Sequence, residues 1–273
     1  MRTIVHLSDL HFGRVDPRIE SPLIEAVHEI APDLIAVSGD FTQRARRREF
    51  LAAQGFLAEL PFAKLLVPGN HDVPLYNMAA RLFSPLSAYR RHLEDNLAPV
   101  FADEEMVVVG LNSARSVPFS GSGRLNERQV SQAAGQLRSA SDDVVKVVVT
   151  HHPFDLPTGH HESLLIGRSE MAMVHLAEGG ADLFLAGHLH ISHVGVTAAR
   201  YKIAGHSAVV VQAGTMSTRG RGEPNSFNVV RLERGCITVE RLTWRRTENQ
   251  FRAAWRGTFR RAADGWVPDG SSL

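Results

Sequence analysis

Short runs of branched apolar residues alternate along the chain with segments whose apolar residues recur at helical spacing. The apolar runs predict strands at residues 3–8, 34–38, 64–67, 106–111, 144–150 and 183–186. The segments between them predict helices at 22–29, 46–59, 85–96, 127–140 and 170–178. Because the strand runs show little alternation of apolar and polar residues, we expect both faces of each strand to be covered. The pattern indicates an α/β fold.

The pattern changes after His190. Apolar runs broken by Gly-rich turns, at 194–214 and 227–244, predict antiparallel hairpins. We therefore expect a single domain, 1–273, with a hairpin-rich second half at 191–249 and a basic C-terminal extension at 250–273. Phe251, Trp255 and Phe259 are spaced by four, which fits a helix stripe and alternate strand positions equally well.

Composition excludes several classes of protein. The 273 residues are 44% hydrophobic and 22% charged, which is typical of a soluble globular chain and not of a disordered one. Lys and Arg exceed Asp and Glu by one, so no overall field gathers nucleic acid or an acidic membrane. Cys236 is the single cysteine and cannot form an intramolecular disulfide. No apolar run is long enough for a membrane span, and Arg2 leads directly into a strand, so we expect a cytoplasmic protein.

Polar clusters fall at or just after the carboxyl ends of the predicted strands, where α/β sheets bind ligands. They are Asp9-Leu10-His11, Gly39-Asp40, Gly69-Asn70-His71-Asp72, His151-His152-Pro153 and Gly187-His188-Leu189-His190. In an extended backbone, Asp9 and His11 would project to the same side. Oxygen and imidazole ligands without thiolate suit Mn, Fe, Zn or a similar divalent ion, and seven ligands are too many for one tetrahedral site. The clusters indicate two metal ions with a shared bridge.

Other polar residues are weaker candidates. For His6 and His175, for the run from Arg44 to Arg48, and for most of Tyr76, Arg81, Phe83 and Tyr89, ordinary packing or a solvated surface is the better interpretation. His160 and His161 fit either the rim of the cleft or an exposed loop. The sequence Thr218-Arg219-Gly220-Arg221-Gly222 fits either a hairpin turn or a site that presents arginines to a phosphate.

The order of the clusters resembles the calcineurin-like metallophosphoesterase superfamily, and HLSDLHFG with GDFTQR is similar to its bacterial cyclic-nucleotide phosphodiesterase branch. The resemblance covers residues 3 to about 216. It implies a four-layer αββα sandwich, in which two mixed β-sheets are flanked by helices. Within that fold it implies a dinuclear metal centre.

The resemblance also implies a role for each residue. Asp9, His11, Asp40 and His190 would hold one ion. Asp40, Asn70, His151 and His188 would hold the other, so that Asp40 bridges the two. His71 would lie beside the scissile phosphate, close to the leaving oxygen, with Asp72 behind it as an orienting partner, and His152 would lie outside the ligands in a second shell. On chemical grounds alone, a protonated His71 would stabilise the transition-state oxygens or donate a proton to the leaving group. Mn or Fe is the expected metal, and Zn or Co is the alternative.

The leading functional hypothesis is a phosphodiesterase that hydrolyses a small, cyclic nucleotide-like phosphodiester by attack of a metal-bridging hydroxide. A nuclease is the alternative that the arginine-rich extension suggests. A phosphomonoesterase or pyrophosphohydrolase acting on a nucleotide or a lipid-linked substrate is another; the lipid A hydrolases of this kind typically have Arg where His71 stands. A scaffold without activity is disfavoured, because every expected type of ligand is present.

Overall fold

The computed structural model describes residues 1–117, 122–203 and 205–270, and these residues form two β-sheets flanked by helices. The strands are β1 (Arg2–Leu7), β2 (Leu34–Ser38), β3 (Lys64–Val67), β4 (Val100–Ala102), β5 (Met106–Leu111), β6 (Val145–Thr150), β7 (Leu183–Ala186), β8 (His193–Val196), β9 (Val209–Gln212), β10 (Ser226–Glu233), β11 (Cys236–Arg245), β12 (Gln250–Ala262) and β13 (Gly265–Pro268). The helices are α1 (Pro17–Ile30), α2 (Arg47–Ala58), α3 (Met78–Phe83), α4 (Ser87–His92), α5 (Glu127–Ser139) and α6 (Ser169–Glu178).

Both sheets are mixed. The first has the order β13-β12-β11-β10-β1-β2-β3, in which β1, β2 and β3 are parallel and the other pairs are antiparallel. The second has the order β4-β5-β6-β7-β9-β8, with a parallel centre and an antiparallel strand at each edge. The carboxyl ends of the parallel strands of both sheets carry the predicted polar clusters.

Three apolar layers explain the unbroken hydrophobic character of the strands. In β2, Leu34 and Ala36 face the layer between the two sheets, whereas Ile35 and Val37 face the layer under α1 and α2. A third layer lies between the second sheet and the helices α5 and α6. The arrangement is the predicted αββα sandwich, since each sheet buries one face against the other sheet and one against helices.

The helix predicted at 85–96 is wrong in its extent. Within that range only α4, Ser87–His92, is helical. The helix α3, Met78–Phe83, lies before it and was not predicted, and Ser84 and Pro85 stand between the two. Proline has no amide hydrogen and disfavours helical backbone in the residue before it, so one continuous helix cannot cross this point without loss. The short edge strand β4 was not predicted, because a strand of three residues gives no periodic pattern.

The C-terminal extension forms strands. In β12 and β13 the buried residues Phe259 and Trp266 pack into the layer between the sheets. The last part of the predicted extension, 271–273, lies outside the described residues. Among the residues that the structure describes, no helix is both long enough and apolar enough to cross a membrane.

Candidate metal centre

The structure brings the predicted ligands together where the two sheets meet. Asp9 and His11 follow β1, Asp40 follows β2, Asn70 begins a short turn after β3, His151 follows β6, and His188 and His190 follow β7. Asp9, His11, Asp40 and His151 are at most 1% exposed, and His190 is 5% exposed. So many polar side chains in one buried volume need strong partners.

One group consists of Asp9, His11, Asp40 and His190, whose ligand atoms all lie within 4.8 Å of one another. The Nε2 atom of His190 lies 3.1 Å from Oδ1 of Asp9. The Nε2 atom of His11 lies 3.6 Å from both Oδ1 of Asp9 and Oδ2 of Asp40. Two carboxylates and two imidazoles therefore point at one volume.

A second group uses the other oxygen of Asp40. The Nε2 atom of His151 lies 3.5 Å from Oδ1 of Asp40 and 3.0 Å from Oδ1 of Asn70. The Nδ1 atom of His188 lies 3.3 Å from the same Nε2 atom. Since Oδ2 of Asp40 faces the first group and Oδ1 faces the second, this carboxylate is placed to bridge two ions.

Hydrogen bonds to main-chain carbonyls fix the orientation of the imidazoles. Nδ1 of His11 faces the carbonyl of Thr42, Nδ1 of His190 faces that of Arg219 at 3.0 Å, and Nδ1 of His151 faces that of Ser38 at 2.7 Å. Each Nδ1 atom must then carry a proton, so that the neutral ring has its lone pair on Nε2. Burial opposes protonation of His190, yet its hydrogen bond to Asp9 raises its pKa, so a metal ion bound there must displace that proton. A carbonyl partner of this kind is typical of metal-ligating histidines.

The consequence is that acceptors face acceptors. The Nε2 atoms of His11 and His190 are 3.1 Å apart, and Nε2 of His151 faces the amide oxygen of Asn70. Oδ1 of Asp9 is buried and makes no hydrogen bond within the described chain. Such contacts are repulsive unless a proton or a metal ion lies between the atoms, and Nη1 of Arg219 is a further donor 3.3 Å from Nε2 of His11. The carboxylate, amide and imidazole ligands themselves fit divalent metal ions.

The protonation states of His188 and Asp40 are also those that metal binding requires. Burial, together with the neighbouring His151, lowers the pKa of His188 to about 3, so its ring is neutral and has a lone pair to give. Burial opposes ionisation of Asp40, yet the imidazoles of His151, His71 and His11 hold its pKa below the ordinary value. Both groups are therefore in the form that binds metal.

The ligand loops are not extended, which corrects the expected geometry of Asp9 and His11. The backbone of Asp9, His11, Asp40, His188 and His190 has positive φ, between 47° and 72°. Such left-handed conformations are costly outside glycine and are kept only where the surroundings enforce them. Here the amides of Asp9 and His11 bond to the carbonyls of Gly39 and Asp40, which lock the two loops together.

Gly69 allows the bridging carboxylate its position. A Cβ atom at Gly69 would lie 2.1 Å from Oδ1 and 2.4 Å from the amide nitrogen of Asp40. No side chain can be accommodated at that distance, so the residue before the Asn-His cluster must be glycine.

His71 lies at the open side of the centre, where its ring has two partners. Its Nδ1 donates to the carbonyl of Gln43 at 2.8 Å, and its Nε2 accepts from Nη1 of Arg219 at 2.9 Å. Burial, only partly opposed by Asp40, lowers the pKa of His71. The ring is therefore neutral, and the guanidinium of Arg219 carries the positive charge that was predicted for a protonated His71.

Asp72 supports the loops and does not orient the His71 ring, contrary to the expectation. Its carboxyl accepts hydrogen bonds from the amides of Phe41, Thr42 and Gly69 and from the hydroxyl of Thr42. Burial and the nearby Asp40 raise the pKa of Asp72 to about 7. Asp72 thus ties the Asp40 loop to the Asn70 loop, and Gln43 performs the orienting role.

His152 lies beside the second group: one ligand nitrogen from each of His151, His152 and His188 lies within 4.8 Å of the others. The Nδ1 atom of His152 is 2.8 Å from the hydroxyl of Ser113, and its ring centroid is 4.4 Å from that of His188. The Nε2 of His151 points at Asp40 and Asn70, which is consistent with the choice of His151 as the ligand.

A cavity of about 270 Å³, which we call the metal cavity, opens onto the centre. Its lining consists of Asp40, Asn70, His71, His160, Leu164, His188, Leu189, His190, Arg219 and Arg221. Of the two open sequence interpretations, the structure favours the site over the turn for Arg219, and it places His160 at the rim. Arg219 is also tied to the centre through its carbonyl, which accepts from His190.

The other weak candidates have structural roles. His6 is buried against Ser38, and His175 lies near Glu178 at the end of α6. Arg46, Arg47 and Arg48 are exposed at the start of α2. Arg81 binds three main-chain carbonyls, and Tyr89 is buried beside Phe41.

The profile of the calcineurin-like phosphoesterase family matches residues 2–192 of this chain. The chain belongs to that family and is a metal-dependent phosphoesterase, a hydrolase.

Similar proteins agree with this class. A probable glycerophosphodiester phosphodiesterase GpdQ of Arcobacter nitrofigilis is 28% identical over 204 residues, which are 68% of this chain and 71% of that protein. A glycerophosphodiester phosphodiesterase GpdQ of Enterobacter lignolyticus is 26% identical over 58% of each chain. Among solved structures, a dimetal phosphatase of Danio rerio is 14% identical with a TM-score of 0.63, over 87% of this chain and 95% of that one. The purple acid phosphatase PPD1 of yellow lupin has a TM-score of 0.70 at 10% identity, over 94% and 53%.

Proposed function

We propose that this protein hydrolyses small phosphodiesters at a dinuclear metal centre. Asp9, His11, Asp40 and His190 would hold one ion, and Asp40, Asn70, His151 and His188 the other. The observation that carries the proposal is the set of facing acceptor atoms, in which the two oxygens of Asp40 serve two separate groups. Mn or Fe is the proposed metal, with Zn or Co as the alternative.

Two divalent ions in this position would lower the pKa of a water between them towards neutrality and offset the charge of a phosphate. The protein's own contribution begins with charge. The two carboxylates, Asp9 and Asp40, cancel only part of the charge of two divalent ions, and Asn70 adds a neutral oxygen. The site therefore keeps a positive surplus that attracts an anionic ester.

Arg219 and His71 would act on the phosphate from the open side. The guanidinium of Arg219 offers further N–H groups beyond the one given to His71, and planar guanidinium groups bind phosphate oxygens well. His71, fixed by Gln43, holds this guanidinium over the centre. We propose that Arg219 binds a non-bridging oxygen and that His71 lies next to the leaving oxygen.

The size of the metal cavity bears on the substrate. At about 270 Å³ it is small, and among the described residues its lining has no Phe, Tyr or Trp on which a nucleobase could stack. The relatives that are named glycerophosphodiester phosphodiesterases act, by their names, on a diester with a small polar alcohol. We therefore propose a glycerophosphodiester-like substrate ahead of the cyclic nucleotide that the sequence suggested.

The nuclease alternative has less support. The arginines of β12 lie on the far strands of the first sheet, and the extension contributes nothing to the described lining of the metal cavity. A cytoplasmic location stays a prediction.

The test is a substrate panel with the metal-reconstituted protein. It compares glycerophosphocholine, bis-p-nitrophenyl phosphate, p-nitrophenyl phosphate, cyclic AMP and single-stranded DNA. We expect both small diesters to be cleaved, with kcat/KM higher for glycerophosphocholine than for cyclic AMP. Hydrolysis of the monoester alone would refute the proposal.

A further inference from the structure

A second cavity, of about 730 Å³, lies beside the metal cavity. The segment 160–166 separates the two, because His160 and Leu164 line the metal cavity whereas Glu162, Ser163 and Leu165 line the second. Four arginines line this second cavity, which we call the arginine cavity: Arg115, Arg124, Arg168 and Arg200.

The charges of the arginine cavity are unbalanced. Arg200 is paired with Asp155 at 2.9 Å and with Glu162 at 3.2 Å. Within the described residues, Arg115, Arg124 and Arg168 have no ion-pair partner within 4.0 Å. The other carboxylate of the lining, Glu170, lies in the first turn of α6. The lining therefore has an excess of positive charge, and guanidinium groups that face one cavity can bind an anion between them.

The remaining lining supplies neutral donors. The hydroxyl groups of Ser163 and Ser169 belong to it. The α6 helix begins at Ser169, and its first turn has no side-chain cap in the described structure. Arg168, the residue before the helix, has a positive φ of 66°. Strained backbone of this kind is kept where the surroundings require it. The hydroxyl of Ser163 is already bonded to Nδ1 of His161 at 2.9 Å, so the neutral contribution comes from Ser169 and from the partial positive charge of the helix start.

The ring of His152 lies between the arginine cavity and the metal centre. Gly123 lines the arginine cavity, and a Cβ atom on it would lie 2.1 Å from Nδ1 of His152. The ring of His152 packs in turn on His188 of the metal centre. A ligand in the arginine cavity would therefore lie next to the reaction site without touching the metal ligands.

We propose that the arginine cavity binds the phosphate or polyphosphate group of a small molecule, at a site separate from the metal centre. Its volume is large for a single phosphate and suits a molecule of nucleotide size. The anion has two sources, either a second phosphate on the substrate itself or a separate effector.

The test measures binding of inorganic pyrophosphate to metal-free protein by isothermal titration calorimetry. We expect the double variant Arg124→Gln/Arg168→Gln to weaken binding at least tenfold, since both arginines lose their charge. Arg128→Gln/Arg138→Gln is the matched control, because these arginines are exposed on α5 and do not line the cavity. Arg219→Ala is a second control, which tests whether the pyrophosphate binds in the metal cavity instead. Retention of binding by both of these controls supports the site.

Equal binding by the Arg124→Gln/Arg168→Gln protein, or no binding by the wild type, would overturn the inference. So would loss of binding in Arg219→Ala alone. Melting temperatures within a few degrees of the wild type exclude unfolding as the cause. This experiment needs no hydrolysis, so its failure is separate from failure of the proposed function.

A kinetic arm distinguishes the two sources. Metal-loaded protein is assayed on thymidine 3′-(p-nitrophenyl phosphate) with and without a 5′-phosphate. If the substrate's own second phosphate occupies the cavity, the 5′-phosphorylated ester has the lower KM, and the double variant loses that preference. If the anion is a separate effector, both esters react equally, and the double variant no longer responds to added pyrophosphate at fixed free metal. Either result supports the site.

Discussion

The metal cavity and the arginine cavity are neighbours that obtain their charge by different means. In the metal cavity the polar groups are buried, their orientation is fixed by main-chain carbonyls, and five of them sit on strained backbone. In the arginine cavity the charge comes from long side chains, of which Arg124 and Arg168 are exposed. The short, fixed side chains of the metal cavity suit metal ions, which need ligands at defined positions. The long side chains of the arginine cavity are adaptable and suit the larger anion that we propose for it.

The largest expected effect is a loss of metal binding and hydrolysis in a variant that still binds pyrophosphate. Asp40→Asn removes the charge of the one carboxylate that serves both ligand groups, so we expect loss of both ions and hydrolysis at the background rate. Pyrophosphate binding in the arginine cavity should not change. Metal analysis by plasma mass spectrometry and calorimetry measure the two properties in one preparation, with Asp142→Asn as an exposed control. Retention of two ions by the Asp40 variant would contradict the bridging role.

His71→Ala tests the open side of the metal cavity. Since His71 is outside both ligand groups and holds the guanidinium of Arg219, we expect metal content near that of the wild type and a loss of turnover of ~10²–10³-fold, as for loss of a positioned donor. The measurement is kcat on bis-p-nitrophenyl phosphate together with metal analysis. If both metals leave in this variant, His71 has a structural role in the centre.

Arg219→Ala is expected to lower kcat/KM by ~10²-fold, as for loss of one donor to a developing negative charge. Arg219→Lys should recover part of this loss, because it restores the charge without the planar fork. Arg221→Ala is the matched variant in the same cavity, and a loss of only a few fold is expected, since Arg221 makes no contact with His71 in the described structure. Equal losses for both alanine variants would mean that only the overall charge matters.

Much of the metal cavity was predictable, and almost none of the arginine cavity was. Asp9, Asp40 and the histidines follow strands whose ends meet at one edge, so short motifs locate them. Arg219 left a weaker signal, a Gly-flanked arginine whose distance from His71 is decided by the loop after β9. Arg115 and Arg124 come from the connection between β5 and α5, Arg168 from that between β6 and α6, and Arg200 from that between β8 and β9, and they share no motif. Only the tertiary structure brings them together.

The sheets were predicted more accurately than the segments that join them. Buried strands such as β2 and β6 are covered on both faces, and their runs of mostly apolar residues can be recognised in a single sequence. The ends and breaks of helices depend on single residues, as Pro85 shows between α3 and α4. The direction of the His71 ring depends on the main-chain carbonyl of Gln43. Every residue has such a carbonyl, so the sequence could not identify this partner.

Gly123→Ala tests the wall that the two cavities share. Because its Cβ would overlap His152, the variant must displace that ring or its own loop, and we expect a loss of about 1–3 kcal/mol in the free energy of unfolding. Gly135→Ala is the control, since a Cβ there has nothing within 4 Å in α5 and should stabilise the helix by about 0.5–1 kcal/mol. Chemical denaturation measures both. Equal stability of the two variants would show that His152 or the Gly123 loop moves aside at little cost in free energy.

The last prediction concerns the buried histidine His6 of β1, whose effect appears only at low pH. Burial lowers the pKa of His6 to about 3, far below its value of 6.5 in the unfolded chain. The folded protein therefore keeps His6 neutral, and unfolding takes up a proton below pH 6.5. Its contribution to stability is full above pH 6.5 and falls as the pH drops towards 3, by about 2 kcal/mol at pH 5.

His6→Asn should therefore reduce the slope of unfolding free energy against pH by up to one proton between pH 6 and 4. Parallel slopes for wild type and the His6 variant would mean that His6 titrates normally in the folded protein.

The central claim is that one carboxylate, Asp40, joins two metal ions. Anomalous scattering from a crystal grown with manganese tests it most directly. We predict two peaks about 3.5–4 Å apart, as in two-metal phosphoesterases. One should lie among Asp9, His11 and His190 and the other among Asn70, His151 and His188, both in contact with Asp40. A single peak, or two peaks that do not share Asp40, would contradict the account.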